Sequence, residues 1–251
     1  MKKTLLTIAF LALAGICTTT VSADVVIFDA DTTNTTLTGN GIGGDGTLSG
    51  TAGSLTYTNS GGNFNNSGFT STDDINTLNG AAITDLDTVT FAVTVDEFNG
   101  AELRSDGVTF GINDLSVRLE ASNGGGDIQT IFNGVFTDSM LTSTTAELTN
   151  GFTATLVADV DGYTFTLDSV APTSPLVVTG AFTGTEFVDT VGGGQFFYQQ
   201  QHRNNNAAAN PGNLTSTISV ASVSVATAVP EPSSLALICL ATLGFGVRRR
   251  R

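Results

Sequence analysis

The chain has 251 residues, with 23 acidic side chains against 9 basic ones and a net charge of −14. All the carboxylates fall between Asp24 and Glu231, where only Arg104, Arg118 and Arg203 oppose them, so that stretch stands at −20. A field of that sign repels phosphate backbones and argues against nucleic acid as a partner, and it opposes adsorption to anionic lipid. The two cysteines, Cys17 and Cys239, both lie in terminal apolar runs. The part between them has no disulfide framework and no thiolate metal site, so it must fold on its core alone.

Met1, Lys2 and Lys3 form a short positive start, residues 4–17 an apolar run, and Val21, Ser22 and Ala23 a set of small residues. This is the pattern of a secretory signal peptide, residues 1–23, cut after Ala23. Cys17 raises a lipoprotein alternative. Ile16 stands where a small residue is wanted, and Ala14 where leucine is usual, so the alternative is disfavoured.

Residues 24–228 form the body, a length that suits one all-β domain. No stretch of ten or more residues shows clean helical spacing. Short alternating runs are separated instead by Gly, Asn and Asp, which predicts an antiparallel β-sandwich. Residues 24–86 are less regular, and the Gly/Asn/Thr-rich part from Asp31 to Gly80 is expected to form long loops and edge strands. A β-solenoid is the minority alternative, because no 20–50-residue register repeats.

The clearest strands flank Asp161-Gly162. Phe152, Ala154, Leu156, Ala158 and Val160 alternate with mostly polar residues, and so do Tyr163, Phe165 and Leu167. A two-residue turn at Asp161-Gly162 predicts a hairpin pairing Val160 with Tyr163, Ala158 with Phe165 and Leu156 with Leu167. Val89, Phe91, Val93 and Val95 define another strand, and Leu115, Val117, Leu119 and Ala121 a third. Residues 25–28, 54–58, 108–112, 128–132, 176–182 and 195–199 complete the set. Ile218 and Val220 are even-numbered apolar positions, whereas Val223 and Val225 are odd. Keeping one face buried predicts a β-bulge at Ala221-Ser222.

The chain ends in Val229-Pro230-Glu231-Pro232-Ser233-Ser234, an apolar run at residues 235–247, and Arg248, Arg249, Arg250 and Arg251. The prolines bar the body from running on into a helix, and a serine can cap the helix that follows. Thirteen residues rise only about 20 Å, short of the roughly 30 Å hydrocarbon core. The expectation is a short transmembrane segment at residues 233–247, held on its cytoplasmic side by arginine. These residues resemble the bacterial PEP-CTERM sorting signal over residues 229–251. The resemblance implies a membrane-embedded exosortase as partner, transient anchoring, cleavage, and a final place at the cell surface or in an exopolysaccharide matrix.

The order of strands at residues 88–95, 152–168, 194–201 and 217–225, the last returning beside the N-terminal strand, resembles the concanavalin-A-like lectin/glucanase jelly roll. That likeness implies two curved antiparallel sheets, with sugars often bound on the concave face. No active-site motif comes with it. A retaining glycosidase needs two carboxylates about 5 Å apart. Asp85 with Asp87 and Asp159 with Asp161 are the same-face candidates, but turn chemistry accounts for Asp161. The Glu-x-Asp-x-x-Glu pattern of the family's glucanases is absent.

His202 is the sole histidine and sits in a polar stretch, so a Ser–His–Asp triad has little to stand on. No cofactor is expected. Calcium at Asp29 and Asp31 or at Asp159–Asp161 is the exception left open. Phe196, Tyr198, Gln200, His202 and Arg203 combine aromatic faces with amide and guanidinium donors, the ingredients of a glycan-binding patch. The competing reading makes one face of that strand plain core. The functional expectation is a non-catalytic exported surface protein that binds polysaccharide. A secreted glycan-active hydrolase on the same fold is the alternative.

Overall fold

The computed structural model describes residues 24–40, 46–59, 65–99, 106–112, 114–121, 126–132, 135–143, 150–169, 176–202 and 214–228. The signal peptide, the sorting tail from Val229 onward and Arg203 lie outside the described residues. Among the described residues, no helix is long and apolar enough to cross a membrane.

The first half of the body holds β1 (Asp24–Asp29), β2 (Thr35–Asn40), β3 (Thr47–Thr51), β4 (Ser54–Asn59), β5 (Asn65–Ser71), a short helix α1 (Ile75–Asn79), β6 (Asp87–Asn99), β7 (Asp106–Ile112) and β8 (Leu115–Ala121). The second half holds β9 (Gly126–Phe132), β10 (Val135–Ser143), β11 (Phe152–Asp159), β12 (Gly162–Ser169), β13 (Leu176–Ala181), a short helix α2 (Glu186–Val191), β14 (Phe196–His202) and β15 (Leu214–Thr227). One sheet has eight strands, ordered β13-β12-β11-β6-β15-β4-β3 with β1 also beside β15. The other has seven, ordered β10-β9-β8-β7-β14-β5-β2. Every ladder whose register is described is antiparallel, as in the β11–β6 and β14–β7 pairs.

Alternation explains which side of each sheet is dry. On β6, Val89, Phe91, Val93 and Val95 point inward and are buried, while Thr90 and Thr94 lie on the outer face. β11 repeats this with Phe152, Ala154, Leu156 and Ala158. Phe110 on β7 meets Phe165 on β12 at 6.4 Å, and Phe28 on β1 meets Phe196 on β14 at 5.6 Å. These ring pairs join the two sheets. Each fully buried Phe or Val side chain contributes on the order of 1.5–3 kcal/mol. Outside, cross-strand hydroxyls pair, Thr94 with Thr153 and Thr58 with Thr215, each at 3.2 Å. Both are β-branched residues suited to a half-exposed pleat.

Three local expectations need correction. Residues 31–80, expected as long loops and edge strands around a strand at 54–58, supply four strands: β2 and β3 do lie at sheet edges and β4 covers 54–58, but β5 is internal, lying between β14 and β2. Few apolar residues were needed because Phe69 alone buries one strand's worth of core, flanked by inward Ser67 and Ser71.

The β11–β12 hairpin is shifted by two residues. Ala158 faces Tyr163, Leu156 faces Phe165, and Asp159 faces Gly162, so the turn is Val160-Asp161. Asp159 draws the turn to itself by accepting from the Asp161 and Gly162 amides at 2.9 and 3.2 Å. Gly162 is already in the strand at φ +151, where a Cβ would lie 2.1 Å from the Gly180 carbonyl of β13. A two-residue shift leaves every side chain on its expected face.

On β15 the buried parity changes between Ile218 and Ala221, with Ser219 and Val220 both half-buried. The change of face therefore sits just before Ala221-Ser222. The register slip of the β1–β15 ladder lies on the partner strand, between Val26 and Phe28.

This register is testable by urea unfolding. Gly162→Ala should cost about 2 kcal/mol or more through clash and strain, whereas Asp161→Ala at the exposed tip should stay within about 0.5 kcal/mol. Equal effects would restore Asp161-Gly162 as the turn.

Candidate functional site

β14 has two faces with different surroundings. Its even-numbered residues enter the sandwich: Phe196, Tyr198 and Gln200 are each fully buried. The Tyr198 hydroxyl bonds the Ser216 hydroxyl on β15 at 2.6 Å. In the orientation that satisfies both ends of its amide, Gln200 donates to the Leu214 carbonyl at 2.9 Å and accepts from the Ser216 amide at 3.2 Å. From the other direction, Tyr57 on β4 donates to Ser67 on β5 at 2.7 Å. Tyr57, Phe69 and Tyr198 pack as one aromatic group, with centroids 5.3 to 6.4 Å apart. Burial pushes the Tyr198 phenol above the ordinary tyrosine range, against the opposing pull of its bonds to Ser216 and Gln200.

These contacts overturn part of the expected glycan patch. Phe196, Tyr198 and Gln200 hold the sheets together and present nothing to solvent. His202 is the last residue of β14, and its side chain lies outside the described residues, as does all of Arg203.

The odd-numbered residues Phe197, Gln199 and Gln201 share the opposite face, the outer side of the seven-stranded sheet. The strand was legible and its parity was not, because both halves of Phe196–His202 mix aromatic with amide residues. Each of the three has a glycine opposite it in a neighbouring strand. Gly111 faces Phe197, Gly68 faces Gln199 and Gly107 faces Gln201. Gly68 is required by close backbone approach, since a Cβ there would lie 1.9 Å from the Tyr198 carbonyl. Phe197 and Gln199 remain half-buried beside these glycines, whereas Gln201 is covered.

The register continues this row in both directions. Gln199 is opposite Thr109, and Thr109 is opposite Arg118 on β8. Gln201 is opposite Asn66 on β5, which is opposite Asn40 on β2. Phe197, Gln199, Thr109, Arg118 and Asn66 are half-buried, and Gln201 is 5% exposed. The Asn66 Oδ1 is buried with no hydrogen-bond partner among the described residues. Such an arrangement offers amide donors and acceptors, a hydroxyl, a guanidinium and one aromatic face. Pairing of this kind suits polyhydroxylated ligands, whose hydroxyls both donate and accept and whose C–H faces cover rings.

The candidate carboxylates have local structural roles. Asp87 is nearly buried and accepts from the Thr84 amide and hydroxyl at 2.7 and 2.9 Å. Asp159 closes its turn. Asp31 accepts from the Thr33 amide at 2.9 Å and the Ala52 amide at 3.3 Å, and these bonds lower its pKa. Asp29 shifts upward, first by burial and second by the Asp31 charge. Among the described residues, no three His, Cys, Asp or Glu side chains converge as a metal site. A hollow of about 370 Å³ opens beside β6 and β11 of the eight-stranded sheet, its lining mixing Thr94, Asp96, Asn150 and Asp168 with Val95 and Phe152.

Residues 228–251 match the PEP-CTERM protein-sorting motif. No curated protein sequence matches the chain. Solved structures do resemble it. The CBM2 module of the evolved Dit of Lactobacillus casei BL23 phage J-1 superposes with a TM-score of 0.56 at 14% identity, over 83% of this chain and 98% of that one. Lectin UEA-II in complex with galactose gives 0.53 at 10%, over 83% and 99%. The Lotus tetragonolobus seed lectin gives 0.53 at 10%, over 84% and 100%. At such identities the likeness establishes the fold. The chain is a lectin-like β-sandwich that ends in a PEP-CTERM sorting motif.

Two outcomes follow from these contacts. Tyr198→Phe removes a buried partner of the Ser216 hydroxyl and should cost about 1–3 kcal/mol in urea. Asp31→Ala should lower the urea midpoint at pH 7. Because the folded-state pKa of Asp31 lies below its ordinary 3.8, its contribution is present above that value and fades as pH falls through the folded one. The gap between wild type and variant should therefore close in acid. A gap independent of pH would assign the effect to something other than the carboxylate.

Proposed function

We propose that this is an exported, exosortase-processed surface or matrix protein that acts without catalysis and binds a neutral polysaccharide. The observation that carries the reading is the sorting motif, which begins at residue 228 directly after the last strand, Leu214–Thr227. A tail of this kind is an address for the envelope exterior. The row of Phe197, Gln199, Thr109 and Arg118, half-buried on the outer face, supplies a sugar-compatible surface. That a structural relative is described in complex with galactose is consistent with this use of the fold. The ligand class follows from charge. A stretch at −20 repels uronic and phosphorylated chains, leaving neutral ones.

Two measurements test the reading. Intact-mass analysis of protein recovered from the native host should show a mature chain without residues 235–251 and without residues 1–23. A full-length product would remove the sorting half. Electrophoresis through gels containing neutral polysaccharides should retard the wild type. Gln199→Ala should weaken retardation about fivefold, as expected for one lost hydrogen bond of roughly 1 kcal/mol. Tyr198→Phe should lower stability and leave retardation unchanged. Binding indifferent to Gln199→Ala would rule out this face, and release of reducing sugar from the gel matrix would turn the assignment to a hydrolase.

A further inference from the structure

The C-terminal end of β15 is placed where two partners need the same residues. β15 is an interior strand with β6 on one side, and with β4 and then β1 on the other. Its last turn-free stretch pairs directly with the N-terminal strand, Asp24 with Ala226, Val25 with Val225 and Val26 with Ser224. The strand ends at Thr227 and the motif begins at the next residue. Only Ala228 and Val229 separate the sheet from Pro230. At about 3.3–3.6 Å per extended residue, Glu231 can stand no more than roughly 14 Å from Thr227.

A processing enzyme embedded in the membrane must hold its substrate extended across its active site, with residues on both sides of the bond engaged. The body that precedes the motif has a diameter on the order of 40 Å, from the usual scaling of size with chain length. With so short a connection, the folded edge and the enzyme contend for the same space.

We propose that Ser224–Thr227 leaves the β1 ladder when the tail is processed, and that this local opening sets the rate of processing. The inference rests on the sorting reading above. Opening adds about 13 Å of reach. The same stretch also borders β6, so opening parts it from both neighbours. Val25 and Val26 on β1 are already 56% and 62% exposed, and the buried groups of β15 that opening uncovers are Ser224 and Val225, 8% and 4% exposed in the closed ladder. Local openings of terminal segments of this size are sampled far below the cost of global unfolding. After cleavage the ladder closes again, with the N-terminal strand acting as the clasp on the new C-terminus.

The ladder can be locked without disturbing other sulfur chemistry, because Cys17 leaves with the signal peptide on that reading and Cys239 can be replaced by alanine. Directly opposed antiparallel residues have Cα separations of about 4.5–5.5 Å, within the range a disulfide accepts. Full-length Val25→Cys/Val225→Cys/Cys239→Ala is incorporated into membrane vesicles of the native host, and tail loss is followed by mass. Far-ultraviolet circular dichroism of the purified chain checks that the sandwich forms.

The oxidised variant should lose its tail at least about tenfold more slowly than the Cys239→Ala control, and dithiothreitol should restore the rate. Nine Gly/Ser residues inserted after Thr227 should restore it in the locked chain without reductant. Equal rates for locked and control chains would overturn the proposal. So would failure of the insertion to restore cleavage, because the defect would then not be one of reach. No cleavage of the control would overturn the sorting reading and this inference together.

Discussion

The fold turns on two hydrogen bonds that cross the sandwich in opposite directions. Tyr57 reaches from the eight-stranded sheet to Ser67 on the seven-stranded one, and Tyr198 reaches back to Ser216. Each tyrosine carries a hydroxyl into an interior from which water is excluded, where an unpaired polar group costs about 1–3 kcal/mol. The serines lie at inward positions that an apolar side chain would otherwise take. Together with the Tyr57, Phe69 and Tyr198 rings, they pin β4, β5, β14 and β15 in one relative register. Sliding any of these strands by one residue would strand a hydroxyl as well as turn out its apolar neighbours.

That constraint decides where ligands can bind. Once Tyr198 and Gln200 are committed to the interior, Phe197, Gln199 and Gln201 must face out. The outer side of β14 thereby becomes a row of amides and one aromatic, with glycine beside each member. The other large face, outside the eight-stranded sheet, carries threonines that pair across strands at two places, Thr94 with Thr153 and Thr58 with Thr215. On the face outside the seven-stranded sheet, the Asn66 oxygen has no partner among the described residues.

The topology also governs the chain's ends. β15 is made last and lies in the interior of its sheet, so the eight-stranded sheet cannot be completed until the residues just before the tail are in place. β1 is the first strand and closes against that same end. The first and last strands of the body are therefore neighbours, with Asp24 opposite Ala226.

Much of this was legible in the residues themselves. Period-two alternation named the strands of β6, β8, β11 and β12 and the faces they bury, because burial on one side of a pleat leaves that trace however the strands are ordered. The tail declared itself through a composition that few other functions require. Other features were decided only by the tertiary structure. Alternation cannot say which half of Phe196–His202 is inside when both halves are aromatic and amide, and the answer lay in Ser216, 18 residues away. The hairpin turn moved by two residues because the Asp159 carboxylate and the close approach of β13 outweighed the local preference of Asp-Gly. β5 is an interior strand although its sequence, Asn-Asn-Ser-Gly-Phe-Thr-Ser, carries one large apolar residue. Its place is set by the neighbours that bond both of its edges, and neighbours are a property of the fold.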